Sequence, residues 1–185
     1  LSDWAIYATH CHESGTTGEF HGSTRVSPPE FLVDFARWTI DQGCAMFVGH
    51  GPHFLRGIEI YKGKPIFYSL GNFIFQNETL EFQPGDNYEK VGLPADALVA
   101  DFHDRRAESR DWLADEPNWD RVIASPVFRD GQLQEVVLHP IGLCYGLKRP
   151  DIGRPMLAHG ALARKILERM QELSAPYGTT IEIDG

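Results

Sequence analysis

Apolar and polar positions alternate along this chain in short blocks separated by turn residues. Trp4-Ala5-Ile6-Tyr7-Ala8 is an apolar run of strand length, and Cys44-Ala45-Met46-Phe47-Val48 is another. Residues 14–27 between them are rich in Gly, Ser and Thr and read as a loop. Ser27-Pro28-Pro29-Glu30 then predicts a helix start, with Ser as N-cap, Pro in the first turn and Glu closing a capping box. Leu32, Phe35, Ala36, Thr39 and Ile40 recur at helical spacing, and Gly43 ends the element. These segments predict a βαβ unit, which joins parallel strands through a right-handed crossover.

Further along, Gly57 to Tyr61 and Pro65 to Leu70 flank Lys62-Gly63-Lys64, a hairpin pattern. Val122 to Phe128 and Leu133 to Leu138 flank Asp130-Gly131, a second hairpin. Residues 76–120 are acidic, interrupted by Pro84, Pro94 and Pro117, and show little periodicity. A bare loop of that length is unusual in a compact domain, so short helices or a lid over a site are expected there. Leu162, Ile166, Met170 and Leu173 mark one face of a closing amphipathic helix, and Thr179 to Ile183 reads as a last short strand. The 185 residues suit one domain.

Composition narrows the function classes. A net charge of −9 argues against nucleic acid as a partner, because a phosphate backbone needs clustered Lys and Arg. No apolar run approaches the roughly 18 residues of a membrane span. Cys11, Cys44 and Cys144 are too few and scattered for a disulfide framework, and a buried thiol is the ordinary reading of Cys11.

The chemistry concentrates where the two first strands end. Thr9-His10-Cys11-His12-Glu13 follows one apolar run, and Gly49-His50-Gly51-Pro52-His53 follows the other. Parallel strands bring such loops to one sheet edge. Neutral imidazoles bind divalent metals such as Mn, Fe, Zn or Ni, so the histidines of both loops, His10, His50 and His53 among them, are candidate ligands, and Glu13 could ligate or act as a general base. On a strand, His10 and His12 would share a face and Cys11 would take the other. Glu13 beside His12 would form an acid/base pair for proton transfer near neutral pH. Asn72, Glu59 and His21 are candidate substrate contacts, whose plain alternatives are a turn cap, a buried hydrogen-bonded carboxylate and a solvated loop histidine. His103, His139 and His159 carry no spacing signal and read as structural.

Gly49-His50-Gly51-Pro52-His53, Gly57-Ile58-Glu59 and Tyr68-Ser69-Leu70-Gly71-Asn72-Phe73 together resemble the C-terminal half of the CapA (poly-γ-glutamate capsule biosynthesis) proteins of the calcineurin-like metallophosphoesterase superfamily. The segment around His10 and the ending Leu173 to Thr179 add to the likeness. The resemblance implies an α/β/β/α sandwich with a metal site at the strand ends, where two ions would polarise a phosphoryl group and supply hydroxide. His50 and His53 stand three apart, whereas the superfamily pair stands two apart. Its aspartate-bearing and asparagine–histidine motifs are absent from this chain, so the resemblance implies a partner segment, the N-terminal half of the domain.

Three functions follow. One is a metal-dependent hydrolase of phosphoester or amide-type bonds, acting on a small molecule, a peptide or polyglutamate. Another is a metal-free peptide epimerase or peptidase using His12, Glu13 or Cys11. The third is a non-catalytic capsule component that binds the polymer, which requires a basic groove such as a cluster of Arg25, Arg37, Arg56 and Lys64.

Overall fold

The computed structural model describes residues 4–16, 25–108 and 116–184. Strand β1 (Ile6–His10) leads through helix α1 (Glu30–Asp41) to β2 (Met46–His50). A tight hairpin of β3 (Ile58–Tyr61) and β4 (Lys64–Phe67) follows. Helices α2 (Gly85–Lys90) and α3 (Val99–Glu108) come next, then the long strands β5 (Asp120–Arg129) and β6 (Gln132–Gly142), the short β7 (Met156–Leu157) and helix α4 (Gly160–Ser174).

The described residues form a mixed α/β fold with two sheets. The first has the order β1-β2-β4-β3, with β1, β2 and β4 parallel and β3 antiparallel to β4. The second is the antiparallel set β5-β6-β7. The period-2 rule explains how β2 and β4 serve two cores at once. Phe47 and Ile66 pack against Leu32, Val33, Ala36 and Ile40 of α1. Met46, Val48 and Phe67 face the opposite way, into a cluster with Val122 and with Ile166, Met170 and Leu173 of α4. Phe47, Ile66, Ile166 and Met170 are fully buried, and each such side chain contributes about 1.5–3 kcal/mol of transfer free energy.

Both hairpin turns follow their sequences. Lys62 and Gly63 have φ of 51° and 73°, and Asp130 and Gly131 have 50° and 75°, the paired positive values of a type I′ turn. The 76–120 segment carries α2 and α3 rather than a bare loop, with Tyr88 of α2 and Phe102 of α3 packed edge to face at 5.8 Å.

Two local expectations are corrected. Helix α1 begins at Glu30 with Pro29 at the N-cap and no side-chain cap. The Glu30 carboxylate instead accepts from the Thr16 N–H and hydroxyl at 3.3 and 3.4 Å, so it ties down the preceding loop. Residues 179–183 run without forming a strand. The Ile60 N–H there meets the Thr179 hydroxyl rather than a backbone carbonyl, and Ile181 O accepts from the Gln171 side chain.

β1 is the outer strand of its sheet. Trp4, Ile6 and Tyr7 are 47%, 58% and 37% exposed, with Tyr7 leaning on Phe35 and Phe47 on the α1 face and Trp4 on Phe128, so the edge carries partly exposed apolar side chains.

Candidate functional site

The parallel register of β1 and β2 sets His10 directly beside His50. Their Nδ1 atoms lie 2.8 Å apart. The pairing continues one residue further, as the Cys11 N–H donates to the His50 carbonyl at 2.8 Å. β1 has ended by then, yet His12 still turns back to His10, with the two Nε2 atoms 2.8 Å apart. The His12 ring in turn lies 5.2 Å from that of His53. Four imidazoles therefore stand in a row at the end of the sheet, ordered His50, His10, His12, His53.

The turn after β2 makes this row possible. Gly51 has φ of 123°, and a Cβ there would meet the Cys11 backbone at 3.0 Å, so the two histidine loops touch only because this residue is glycine. His53 itself adopts φ of 67°. Its Nδ1 lies 2.9 Å from Asn72 Oδ1, so Nδ1–H is the donor and Nε2 keeps the lone pair. Asn72 follows Gly71, where φ is 75° and a Cβ would collide with the Arg121 side chain. The Asn72 amide thus positions an imidazole, and its own Nδ2 is buried with no acceptor among the described residues.

Glu13 does not pair with His12. Its Oε2 accepts from the Cys11 thiol at 3.1 Å. That hydrogen bond holds the Glu13 carboxyl below the usual carboxylate range. Burial, together with the bond to Glu13, pushes the Cys11 thiol up, so Cys11 is held as a neutral thiol packed in the α1 core. Beneath this loop Arg56 is completely buried and donates through Nη2 to the Glu13 carbonyl at 2.7 Å and to the Ser14 hydroxyl at 3.1 Å. Burial lowers its pKa to about 10, which leaves it charged at neutral pH.

Glu59 lies apart from the imidazole row. It is buried between α1 and the sheet, where Arg37 donates to it at 2.9 Å and the Tyr68 hydroxyl at 2.6 Å. Burial, reinforced by that bond, pushes the Tyr68 pKa up. His21 lies outside the described residues. His139 meets the Ser125 hydroxyl at 3.2 Å within the second hairpin, and His103 is buried on α3.

The donor set is rich in imidazole, and His10, His50 and His53 would need further ligands beside them to hold a metal ion. Among the described residues no group of three or more His, Cys, Asp or Glu side chains is arranged to hold one. His10 turns opposite ring nitrogens to its two neighbours, Asn72 occupies Nδ1 of His53, and Glu13 faces Cys11. What the row can do is move protons. A neutral His10 donates through one nitrogen and accepts through the other, so a proton taken up at one end can be released at the other.

Beside His53 opens a cavity of about 430 Å³, lined in part by Arg25, Phe54, Phe75, Arg106 and Asn118. Sequence reasoning had no means of finding it. Arg25 and Asn118 are 93 positions apart, yet Arg25 Nη2 donates to Asn118 Oδ1 at 2.7 Å. Arg106 comes from the segment that reads as surface.

Residues 20–77 match the family model described as bacterial capsule synthesis protein PGA_cap. Over 193 aligned positions the chain is 40% identical to uncharacterized protein y4sH of Sinorhizobium fredii, covering 99% of this chain and 40% of that protein. It is 58% identical over 48 residues to PGA biosynthesis protein CapA of Bacillus subtilis, which is 26% of this chain and 13% of that protein. It is also 50% identical over 40 residues to capsule biosynthesis protein CapA of Bacillus anthracis, 22% of this chain and 10% of that protein. The chain therefore spans well under half the length of each of these relatives. His50, His53 and Asn72 fall inside the family match, whereas His10 and His12 precede it.

Proposed function

Because the chain belongs to the CapA family of bacterial capsule synthesis proteins, we propose that it carries the reaction centre of a hydrolase acting on a phosphoester or amide-type bond in poly-γ-glutamate capsule biosynthesis. The observation that carries this reading is the pair of 2.8 Å nitrogen–nitrogen contacts that make His50, His10 and His12 one chain. In the proposed reaction an exposed imidazole, His12, removes a proton from the attacking water. His10 passes that proton to His50, which returns it to the leaving group. General acid–base catalysis of this kind contributes about 10²–10⁴ in rate. Asn72 fixes the tautomer of His53 beside the reacting atoms.

The all-imidazole donor set also favours a second reading, in which His10, His50 and His53 contribute to a metal site whose remaining ligands come from outside the described residues. β1 offers the place for them. No strand pairs with its outer edge among the described residues, and the relatives have length to spare. In this reading the remaining part of the longer protein covers Trp4, Ile6 and Tyr7 and brings its side chains alongside His10. Slower hydrogen exchange of the β1 amides in the longer protein supports that arrangement, and unchanged exchange contradicts it. No helix of the described residues is long and apolar enough to cross a membrane.

The test is hydrolysis of a chromogenic phosphoester and of a γ-glutamyl anilide by the unaltered chain and by His10→Gln, each with and without a chelator. Turnover that survives the chelator and falls in His10→Gln supports the proton chain. Loss of turnover on chelation transfers the role to a metal.

A further inference from the structure

The cavity beside His53 has two arginines in its wall. The whole chain carries −9, but the cavity is lined by two guanidinium groups, Arg25 and Arg106, with no Asp or Glu among its described lining residues. Arg25 is fixed in place from two sides. Its guanidinium lies 5.0 Å from the centre of the Phe54 ring, and its Nη2 donates to the Asn118 side-chain oxygen at 2.7 Å. Buried Arg56 approaches the same ring at 5.6 Å and adds a third positive charge behind the wall. Low-dielectric walls of Phe54 and Phe75 concentrate that field inside the cavity.

His53 belongs to both regions. It lines the cavity, and its ring lies 5.2 Å from His12 in the imidazole row. A molecule that fills the cavity therefore extends toward the imidazoles, with the apolar stem of a side chain against Phe54 and Phe75. Arg is suited to such a position because its planar fork meets the two oxygens of a carboxylate or phosphate together.

We propose that this cavity is the recognition subsite for an oxyanion, a carboxylate or a phosphate, of the substrate, with Arg25 and Arg106 as its specificity-determining residues. The inference rests on the imidazole row as the reaction centre only in assigning which end of the substrate faces His53. It gives the 76–120 segment a task, because α3 of that segment supplies Arg106. It also answers the need for a basic groove. Arg25 and Arg56 gather around Phe54, whereas Arg37 pairs with Glu59 on the α1 side of the sheet.

The test is calorimetric titration of the full chain with a short glutamate oligomer and, separately, with phenyl phosphate. Arg106→Gln, Arg106→Lys, Arg25→Gln and His12→Gln are compared with the unaltered chain, and their thermal unfolding is recorded alongside. Loss of a charge-assisted contact predicts about tenfold to a hundredfold weaker binding in Arg106→Gln, compared at matched folded fraction, with partial recovery in Arg106→Lys. Binding of the glutamate oligomer alone identifies the oxyanion as a carboxylate, and binding of phenyl phosphate alone identifies it as a phosphate. His12→Gln is expected to bind as the unaltered chain does while losing turnover. If His12→Gln keeps turnover but Arg106→Gln still loses affinity, the subsite stands and the proton chain falls. The proposal is overturned if Arg106→Gln and Arg25→Gln bind as tightly as the unaltered chain, or if neither probe binds at all.

Discussion

Removing Glu59 tests whether the buried triad with Arg37 and Tyr68 is structural or part of the reaction centre. Glu59→Ala leaves two groups without their acceptor. The Tyr68 hydroxyl sits on a side chain with no exposure, so water cannot replace the lost bond, and an orphaned buried donor costs about 1–3 kcal/mol. The Arg37 side chain is 36% exposed, so its guanidinium can turn toward solvent. The 3–5 kcal/mol typical of breaking a buried pair must therefore be discounted on the arginine side. The sum predicts a loss of about 2–4 kcal/mol. Urea unfolding followed by circular dichroism measures it, and Tyr68→Phe closes a double-mutant cycle. Tyr68→Phe alone should cost about 1.5–3 kcal/mol, because it removes a hydrogen bond to an ionised acceptor. In the Glu59→Ala background the same change should be neutral or stabilising, since it then deletes an orphaned hydroxyl. Equal cost in both backgrounds would refute the reasoning, and so would a change in probe binding in Glu59→Ala at matched folded fraction.

Three further outcomes are expected. Gly51→Ala forces a side chain into a left-handed backbone against Cys11, so it should lower stability by about 1–3 kcal/mol and reduce turnover with it, as unfolding and kinetics measured on one sample will show. Cys11 should react with iodoacetamide more slowly than Cys44 and Cys144 at mildly alkaline pH. Its thiol is pushed up, so the thiolate forms only as pH rises past the usual thiol range; Glu13→Gln, which removes a raising charge, should speed the reaction, and mass spectrometry of peptides reads both. Asn72→Ala frees Nδ1 of His53, and the expected result is a lower kcat with Asn72→Asp retaining more activity than Asn72→Ala, a pattern that simple loss of packing would not produce.

Much of the fold is legible in the residues because local rules and tertiary packing agree there. Lys62-Gly63 and Asp130-Gly131 take the positive φ that their turns require, and the apolar runs ending at Ala8 and Val48 become parallel neighbours because one helix joins them. Register then aligns His10 with His50 without further instruction. What was not legible depends on directions that sequence spacing does not set. His10 and His12 meet although β1 has ended, because the chain bends back across Gly51. Glu13 goes to the Cys11 thiol rather than to the adjacent His12, and Glu30 holds a loop rather than capping its own helix. The Arg25–Asn118 contact joins distant segments, and no local pattern announces it.

Whether the imidazoles form one coupled chain is tested most directly by long-range proton–nitrogen NMR spectra of the histidine rings. His10→Gln is expected to shift the ring-nitrogen resonances of both His12 and His50, because each loses the nitrogen it shares a proton with. Ring-nitrogen resonances of His12 and His50 that stay where they are in His10→Gln would contradict the coupling.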